Sequence, residues 1–342
     1  FHDDQHGTAI ICTAAVLNGL RIVEKAIGEV RLVVSGAGAS AIACLNLLVA
    51  LGMQKRNIVV CDSKGVIYRD READMTPTKS AYAIEDNGAR RLEEVIENAD
   101  IFLGCSGPRV LIRNGVKPDI VSGLSIGAFP AAVVAGALDF SDALRLVALR
   151  GDLMESAYPH GYGLTAIVGL TLSRLEKLMA GSNTYIANIN AETQTVIAGR
   201  DEDMAAVAQK ALDAGASKAA RLAVSVPSHC ALLDKPAAEL ARAFASVSLS
   251  RPSCAYLSGS TGRVIWEPAK IADDLAFNMA RTVQWSDAVI AANQRDARLA
   301  IEMPPGNVLT GLTHQAGWQG EAICMERNSV EVALHLAKRL SQ

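Results

Sequence analysis

The pentapeptide GLSIG at positions 123–127 constrains this chain more than any other feature. It has the G-x-S-x-G spacing, follows the strand-like run 119–122 and precedes the Ala/Val-rich run 128–138, which is typical of a helix. A sharp turn between a buried strand and a helix exposes a serine oxygen and directs the amides of the helix N-terminus toward the same point. We therefore predict that Ser125 is a nucleophile with an oxyanion site beside it.

Composition favours an α/β protein without a nucleic-acid or membrane partner. Half of the 342 residues are hydrophobic and only 4% are aromatic, so the core must consist mainly of Ala, Val, Leu and Ile. The formal net charge of −3 gives no reason to expect a polyanionic partner. The seven cysteines form no C-x-x-C pair, and we find no signal peptide or membrane-length apolar run. We expect a cytoplasmic protein, and the sequence leaves an oligomer open.

A candidate base for Ser125 lies further along the chain. His229 is predicted to follow a strand at 221–226, where it could accept the serine proton and return it to the leaving group. A carbonyl near Asn278 or Gln284 could accept the second imidazole proton and fix the tautomer, as the third member of a catalytic triad does. Alternatively, His229 is an ordinary structural histidine.

A candidate cation lies 25 residues after the serine. Arg150 closes a largely apolar helix that we predict over 141–153, with its cap at 141–142. An arginine on such a face needs a partner, and a planar carboxylate suits its fork. The sequence alone allows either a substrate carboxylate or a structural ion pair with Asp152 or Glu155.

From about residue 111 to 342 the chain resembles malonyl-CoA:acyl-carrier-protein transacylases. The motifs that carry the resemblance are GLSIG at 123–127, LRG at 149–151, ANIN at 187–190, VPSH at 226–229, TVQW at 282–285 and PGNVLTGL at 305–312. The resemblance implies an acyltransferase α/β core, 111–164 and 226–342, with a small ferredoxin-like α+β subdomain at 165–225. It implies malonyl transfer from CoA to an acyl carrier protein, with no cofactor required.

The same resemblance implies roles for individual residues. Ser125 would be the nucleophile and His229 the base, Arg150 would hold the free malonyl carboxylate, Asn278 would orient the histidine through its backbone carbonyl, and Ile126 and Gln284 would also line the substrate site. Leu124 replaces the usual His, Ala128 replaces an acidic residue, and EMPPG at 302–306 replaces Glu-x-Gly-Pro-Gly. These departures resemble the transacylase subunit of malonate decarboxylase. The family's Gly-Gln-Gly loop has no counterpart before Ser125, and loss of an oxyanion-hole donor typically costs ~10²–10³ in turnover.

A second motif lies in the first third of the chain. GAGASA at 36–41 follows the predicted strand 31–35 and opens a helix, which is the G-x-G-x-x-A pattern of dinucleotide-binding folds. Asp62 ends the next predicted strand, 26 residues after Gly36, where an acid can bind a ribose hydroxyl. The alternation of strands and helices predicts a Rossmann-like parallel sheet.

Residues 1–110 resemble the NAD(P)-binding segment of malic enzyme. The motifs are FHDDQHGTA at 1–9, VSGAG at 34–38 and DSKGVIY at 62–68. By that resemblance the cofactor-binding residues would be Gly36, Gly38, Ala41, Asp62, Ser63 and Lys64. Asp62 favours NAD, whereas Ser63 and Lys64 could accept the 2′-phosphate of NADP, so the choice stays open.

The resemblance to malic enzyme also implies a metal ligand. Asp4 would bind Mg²⁺ or Mn²⁺ and Asp3 would support the catalytic lysine, but the other metal ligands, the lysine and the tyrosine belong to an upstream domain of that family. A hard divalent cation takes about six oxygens. We therefore expect Asp3 and Asp4 to form a solvated helix cap rather than to hold a metal tightly.

The sequence is therefore interpreted as a composite of two incomplete families that meet near residue 110. Malonyl transfer through Ser125 is the preferred hypothesis. The alternatives are a fragment of an NAD(P)-dependent malic enzyme, which oxidatively decarboxylates malate, and a non-catalytic chimera. We also expect strands 100–104 and 119–122 to be neighbours in one parallel sheet.

Overall fold

The computed structural model divides into two compact units, Phe1–Val110 and Leu111–Gln342. Each unit is described by itself below. The residues that the structure describes are 12–13, 16–17, 19–21, 23–62, 64–104, 111–112, 115–158, 160–303 and 306–341.

The first unit contains a four-stranded, mainly parallel sheet. Strand β1 (Leu32–Ser35) is central, with β2 (Ile58–Asp62) and β4 (Ile101–Gly104) parallel to it on either side, and β3 (Gly65–Val66) runs antiparallel to β2 at the edge. Helix α1 (Ala39–Ala50) connects β1 to β2. This is the Rossmann-like arrangement that the alternation of strands and helices predicts.

Strand β1 is buried on both of its faces. Leu32 and Val34 pack in one apolar cluster with Leu45 of α1, and Val33 packs in a second cluster with Val95. A parallel strand that is covered on both faces has a continuous apolar sequence rather than an alternating one. The run LVV therefore fits a strand inside the sheet.

The helix predicted over 89–99 is largely wrong. Only α3 (Glu93–Ile96) forms, after a short α2 (Pro77–Ser80) earlier in the unit. The carbonyl of Arg90 accepts a hydrogen bond from the backbone N–H of Val66 at 2.9 Å, so this segment is engaged with β3 instead of a helix. Asn98 has a φ of +68°, which ends the helical path.

The second unit begins with the predicted strand, turn and helix. Strand β5 (Ile120–Ser122) leads into a 3₁₀ turn, Ser125–Gly127, and then helix α4 (Ala128–Val134). Helix α5 (Phe140–Ala157) follows. The side chain of Asp139 caps α5 by accepting the first amide hydrogen bonds of the helix, so the cap lies two residues earlier than predicted.

A small α+β subdomain follows α5. Its elements are β6 (Tyr162–Val168), α6 (Leu172–Met179), β7 (Thr184–Ala191), β8 (Gln194–Arg200), α7 (Asp201–Asp213) and β9 (Lys218–Arg221). The four strands are antiparallel in the order β7-β8-β6-β9, which is the ferredoxin-like topology.

The strand predicted over 221–226 is wrong, because β9 ends at Arg221. The guanidinium of Arg221 donates to the carbonyl oxygens of Leu222 and Val224, the latter at 2.8 Å. These carbonyls are thus satisfied by a side chain rather than by a neighbouring strand. His229 consequently lies in a loop, eight residues beyond the strand rather than directly after it.

The rest of the second unit alternates helices with short strands. They are α8 (Asp234–Phe244), β10 (Ala255–Leu257), β11 (Val264–Ile265), α9 (Pro268–Phe277), β12 (Val283–Gln284), α10 (Trp285–Asn293), β13 (Leu299–Glu302), α11 (Val308–Gln315), β14 (Glu321–Cys324) and α12 (Val330–Leu340). Strand β12 runs parallel to β7 and extends the small sheet, whereas β13 and β14 form a separate parallel pair.

The elbow strand does not pair as predicted. Strand β5 lies parallel to β10 and β10 is antiparallel to β11, whereas β4 borders β1 in the sheet of the first unit. The expected pairing of strands 100–104 and 119–122 is therefore wrong. The buried apolar run Ala255–Leu257 supplies the neighbour that β5 needs, and Ser122 Oγ reinforces the pair by donating to the Leu257 carbonyl at 2.9 Å.

The main apolar core of the second unit lies between α4, α5, α8 and α9, with Phe129, Leu146, Leu240, Tyr256 and Leu275 among its fully buried side chains. Among the helices of the described residues, none is both long and apolar enough to cross a membrane. The chain is thus an α/β protein, with a Rossmann-like segment followed by an α/β core that carries a ferredoxin-like subdomain, as predicted.

Candidate active site

The turn between β5 and α4 holds Ser125 in a left-handed backbone conformation, with a φ of +56°. This turn requires glycine at position 123, because a Cβ there would lie 2.0 Å from the carbonyl carbon and oxygen of Gly127. Helix α4 has no side-chain cap and no acidic residue in its first turn. Its positive N-terminal end is therefore available to a developing anion next to the serine.

His229 contacts the serine hydroxyl through one ring nitrogen and a backbone carbonyl through the other. Its Nε2 lies 2.8 Å from Ser125 Oγ, and its Nδ1 lies 2.8 Å from the carbonyl oxygen of Asn278. A carbonyl can only accept a hydrogen bond, so Nδ1 carries the proton and Nε2 presents its lone pair to the hydroxyl. The arrangement has the geometry of a nucleophile, a base and an orienting group.

The environment of His229 keeps the imidazole neutral. Burial, and secondarily the positive charge of Arg150, lower the pKa of His229 to about 4, while the hydrogen bond to Asn278 acts in the opposite direction. At neutral pH the ring is therefore unprotonated at Nε2 and can accept a proton.

Arg150 completes a triangle around the serine oxygen. It is 5% exposed and projects from α5, and its Nη2 donates to Ser125 Oγ at 3.1 Å. In the part of the chain that the structure describes, no ion pair includes Arg150 and its buried Nε has no partner, so of the two alternatives the structural ion pair with Asp152 or Glu155 does not form. Burial lowers the pKa of Arg150 to about 10, which still leaves a cation at neutral pH.

The other three predicted substrate-site residues differ in their burial and in their hydrogen bonds. Asn278 is fully buried in a 3₁₀ turn, and its side-chain amide donates to Ser260 Oγ at 3.4 Å. The backbone N–H of Gln284 donates to the Gly259 carbonyl at 2.6 Å. Ile126 is 52% exposed directly after the nucleophile, so it lies at the open side of the turn.

Sequence reasoning missed two backbone contacts that hold the histidine and the elbow. The N–H of His229 donates to the carbonyl of Met279 at 2.6 Å, which fixes the backbone as well as the ring. A Cβ on Gly259 would lie 2.9 Å from the carbonyl oxygen of Gly123, so the loop after β10 lies directly against the elbow. No side-chain pattern in the sequence marks a contact between two backbones; only the glycines hint at it.

In the first unit, the glycine motif forms the expected turn. Gly36 has a φ of +113°, and its N–H donates to the Cys61 carbonyl at 2.7 Å. Gly38 caps α1 without a side-chain hydrogen bond, the first turn of α1 has no acidic residue, and Ala41 is buried against the sheet. An uncapped helix N-terminus beside a strand end fits a pyrophosphate.

Asp62 is already engaged by cations. Its carboxylate accepts two hydrogen bonds from Arg71, at 2.9 and 2.6 Å, and one from Lys79 Nζ at 2.9 Å. Burial raises the pKa of Asp62, but the hydrogen bonds from Arg71, Lys79 and the backbone of Lys64 outweigh it and hold this pKa well below its usual range. The side chain is thus not free in the way that ribose binding by an acid requires.

Of the remaining predicted residues of the first unit, Lys64 lies among the described residues. It is exposed, and its backbone N–H donates to Asp62 Oδ1 at 2.9 Å, whereas Ser63, Asp3 and Asp4 lie outside the described residues. Within the described ranges, no group of three or more His, Cys, Asp or Glu side chains could hold a metal ion.

The geometry in the second unit, a serine held between a neutral histidine and an unpaired arginine beside a helix N-terminus, defines a serine acyl-transfer site. The family model of the acyl transferase domain matches residues 108–335, which is well over half of the chain. The chain belongs to the acyl transferase domain family. A second model, the malic enzyme NAD binding domain, matches residues 5–124.

Individual relatives divide the chain in the same way. A malonyl CoA-acyl carrier protein transacylase from Haemophilus influenzae is 36% identical over 203 residues, 58% of this chain and 65% of the relative. A solved malonyl CoA-acyl carrier protein transacylase from Coxiella burnetii has a TM-score of 0.65 and 32% identity, covering 68% of this chain and 75% of that one. An NADP-dependent malic enzyme from Salmonella typhimurium is 74% identical over 117 residues, 34% of this chain but only 15% of the relative.

Proposed function

We propose that this chain transfers a malonyl group from coenzyme A to the thiol of an acyl carrier protein through an ester on Ser125. The observation that carries the proposal is that one serine oxygen lies within hydrogen-bond distance of both His229 Nε2, at 2.8 Å, and Arg150 Nη2, at 3.1 Å. The first contact activates a nucleophile, and the second places a cation where a dicarboxylic acyl group would extend.

The first half-reaction forms the acyl-enzyme. Ser125 Oγ attacks the thioester carbonyl while His229 Nε2 takes the hydroxyl proton, and the carbonyl electron pair moves onto oxygen. When the tetrahedral intermediate collapses, the C–S bond breaks and the CoA thiolate leaves with the proton that His229 returns. The Asn278 carbonyl stabilises the transient imidazolium through Nδ1–H.

The second half-reaction reverses the first with a different thiol. The carrier-protein thiol gives its proton to His229 Nε2 and attacks the serine ester, and Ser125 Oγ regains the proton as it leaves. In both halves the oxyanion would be stabilised by the N–H of Ile126 and the N-terminal end of α4. No redox or metal chemistry is needed, because every step is proton transfer and acyl exchange.

Acyl-group selection follows from the burial of Arg150. A guanidinium that is 5% exposed and has no acidic partner among the described residues is poorly solvated, and a malonyl carboxylate would supply the missing charge. An acetyl group cannot. Arg150 therefore favours a dicarboxylic acyl group over a monocarboxylic one.

We also propose a functional division of the chain. Residues 111–164 and 226–342 would form the catalytic core, 165–225 a subdomain beside it, and 1–110 a separate nucleotide-binding segment. We place the reaction in the cytoplasm. The chain spans about 65% of the length of its transacylase relative and about 15% of its malic enzyme relative, so the activities of those whole proteins enter here as proposals.

The decisive experiment measures the intact mass of the protein after incubation with malonyl-CoA, in parallel with Ser125→Ala. A malonyl adduct on the parent protein and none on the variant is the expected result. Ser246→Ala is a matched control, since this exposed serine after α8 donates to the Ala243 carbonyl and should leave the adduct unchanged. An adduct that persists in Ser125→Ala, or no adduct on folded parent protein, would overturn the proposal.

A second function, NADP binding by the first unit, is favoured by the cations around Asp62. The Gly36–Gly38 turn offers a pyrophosphate site, and Arg71 and Lys79 place two positive groups at the end of β2, where the adenine ribose is expected. We infer that this edge accepts a 2′-phosphate better than a free ribose diol. Bound NADP would supply hydride-accepting chemistry, and no metal-dependent step is assigned to this chain.

A further inference from the structure

A buried carboxylate lies behind the histidine and takes no part in the proposed chemistry. Asp274 projects from α9, one turn before Asn278, and is 2% exposed. Its Oδ2 accepts a hydrogen bond from the Tyr256 hydroxyl at 2.9 Å, and its Oδ1 accepts one from the Ser258 hydroxyl at 2.7 Å. Among the described residues no ion pair includes Asp274, so hydroxyl groups are its direct partners.

One of those hydroxyls, Ser258 Oγ, connects Asp274 to the loop that follows β10 by hydrogen bonds. Ser258 Oγ donates to Asp274 and accepts hydrogen bonds from the backbone N–H groups of Ser260, at 3.2 Å, and Thr261, at 3.1 Å. Ser260 Oγ in turn accepts from the Asn278 side-chain amide at 3.4 Å. Asp274 is thereby connected to the residue whose carbonyl accepts from His229 Nδ1.

The same loop also contacts the nucleophile elbow. Leu257, at the end of β10, accepts from Ser122 of the elbow strand, and Gly259 approaches so closely that a Cβ there would lie 2.9 Å from the Gly123 carbonyl. Gly259 additionally accepts from the N–H of Gln284 at 2.6 Å. A single ordered loop, 257–262, therefore touches the supports of both Ser125 and His229.

We propose that Asp274 is a positioning residue for acyl transfer, which acts through Ser258 and loop 257–262 to hold the Asn278 carbonyl against His229 and the elbow beneath Ser125. This inference rests on the proposed function for its catalytic consequence, but not for its geometry. Burial raises the pKa of the Asp274 carboxyl above its usual value, although hydrogen bonds from Ser258, Tyr256 and Ser260 and the charge of Arg281 act in the opposite direction. A buried carboxylate that has no direct ion pair among the described residues is unfavourable for folding compared with an apolar side chain, which argues for a specific role.

The two hydroxyl partners of Asp274 provide an internal control. Ser258 lies on the route from Asp274 to Asn278, whereas Tyr256 binds the other carboxylate oxygen and lies off that route. Both Ser258→Ala and Tyr256→Phe remove one hydrogen bond from the same carboxylate. Because Ser258 Oγ also accepts two backbone hydrogen bonds, a purely structural role predicts that each variant lowers kcat only in proportion to its loss of folded protein. A positioning role predicts that Ser258→Ala lowers kcat in protein that remains folded, whereas Tyr256→Phe does not.

The first measurement is kcat and KM for malonyl transfer. Ser258→Ala and Asp274→Asn should lower kcat by about 10²-fold, the size expected when catalytic groups are misplaced, with KM unchanged because Arg150 is untouched. Tyr256→Phe should stay within about threefold of the parent. Ser258→Thr, which retains the hydroxyl, should restore part of kcat, since its extra methyl group must fit a fully buried position. Glu267→Gln is the matched control, because that exposed carboxylate directly before α9 pairs with Lys270.

The second measurement does not depend on activity. The His229 Nδ1–H proton should give a protected proton NMR signal, assigned by its loss in His229→Ala, that exchanges faster in Ser258→Ala and Asp274→Asn but not in Tyr256→Phe. Equal effects of Ser258→Ala and Tyr256→Phe on both kcat and exchange would overturn the inference, as would no effect of Ser258→Ala. A parent protein that shows the protected proton but forms no malonyl ester would instead refute the proposed function alone.

Discussion

The two units use the same local structure, a strand that ends in a glycine-containing turn and leads into an uncapped helix, although β1 is buried and β5 only half-buried. In the first unit the turn lies between β1 and α1, and in the second between β5 and α4. The glycines serve different purposes. Gly36 is needed for its backbone conformation, with a φ of +113°, whereas Gly123 is needed because Gly127 occupies the space of a side chain.

The two sites differ most in whether their buried charged groups have partners of opposite charge within the protein. Asp62 is surrounded by Arg71 and Lys79, so the charges at the end of β2 largely satisfy each other. Arg150 has no acidic partner among the described residues and donates only to a neutral hydroxyl. We expect the buried charge of Arg150 to be matched by an anionic ligand. At Asp62, we expect selectivity to come from the cations that surround the carboxylate.

The largest expected effect concerns Arg150, the buried cation without an acidic partner among the described residues. Arg150→Gln should reduce the preference for malonyl-CoA over acetyl-CoA by about 10²–10³-fold, because a charged hydrogen bond to the substrate carboxylate is lost in a buried site. Competition between the two thioesters, followed by mass spectrometry of the acyl-enzyme, measures this ratio. Arg145→Gln, on the exposed face of the same helix, should leave it unchanged. An unchanged ratio in Arg150→Gln would mean that the unmatched charge does not select the acyl group.

The next effect distinguishes the two glycine turns. Gly123→Ala should destabilise the protein by about 3 kcal/mol, because the new methyl group overlaps the Gly127 backbone. Gly38→Ala should change stability by less than about 1 kcal/mol, because the space around a Cβ there is open. Urea unfolding of both variants tests the comparison, and equal midpoints would show that the turns are not different in this way.

A smaller effect should appear in the pH dependence of acylation. Because the pKa of His229 lies at about 4, kcat/KM should be flat between about pH 6 and pH 8 and fall about tenfold per unit below that pKa. Protonation of the unfolded chain begins at a higher pH, so stability also falls as the pH drops toward 4, and circular dichroism must accompany each point. In Arg150→Gln the acid limb should move to higher pH, because a positive charge beside the imidazole is removed. An acid limb near the ordinary histidine pKa in the parent would contradict the buried, neutral base.

The smallest expected effect concerns the cations that surround Asp62 in the first unit. Lys79→Ala should weaken NADP binding by about tenfold and leave NAD binding nearly unchanged, since one cation near the 2′-phosphate is lost while Asp62 keeps Arg71. Isothermal titration with both nucleotides measures the difference. Lys55→Ala is a suitable control, because that lysine lies over the Tyr82 ring instead. Equal losses for the two nucleotides would remove the proposed selectivity.

Much of the fold could be predicted from local sequence. The apolar runs at 32–35, 58–62 and 101–104 form the parallel strands, and the strand, turn and helix around Ser125 form as the G-x-S-x-G spacing indicates. Two failures have different causes. The helix predicted over 89–99 is lost because the Arg90 carbonyl binds the backbone of β3. Arg221 ends a predicted strand by binding the next carbonyls, and such competition depends on where an arginine folds back, which periodicity does not report.

The site could be predicted less completely than the fold. The G-x-S-x-G spacing predicted Ser125, the residue patterns proposed His229, Arg150 and a carbonyl near Asn278 or Gln284, and the family resemblance gave each its role. The structure brings Ser125, His229, Arg150 and Asn278 together. The Asp274 network was not predicted, because its members lie on a strand, a loop and a helix that share no recognisable spacing in the sequence. The pairing of β5 with β10 was missed for a similar reason, since the two strands are separated by more than 130 residues.

The backbone at the two reacting residues has a consequence for anyone who engineers this chain. Ser125 and His229 have φ angles of +56° and +65°, a region that costs a non-glycine residue about 1 kcal/mol or more. A stabilisation programme guided only by backbone preferences would choose glycine at both positions. Melting experiments alone would then report the substitutions as successful. The programme would also delete the reacting oxygen of Ser125 and the imidazole that accepts its proton, so we expect thermal stability and turnover to compete at the same two residues.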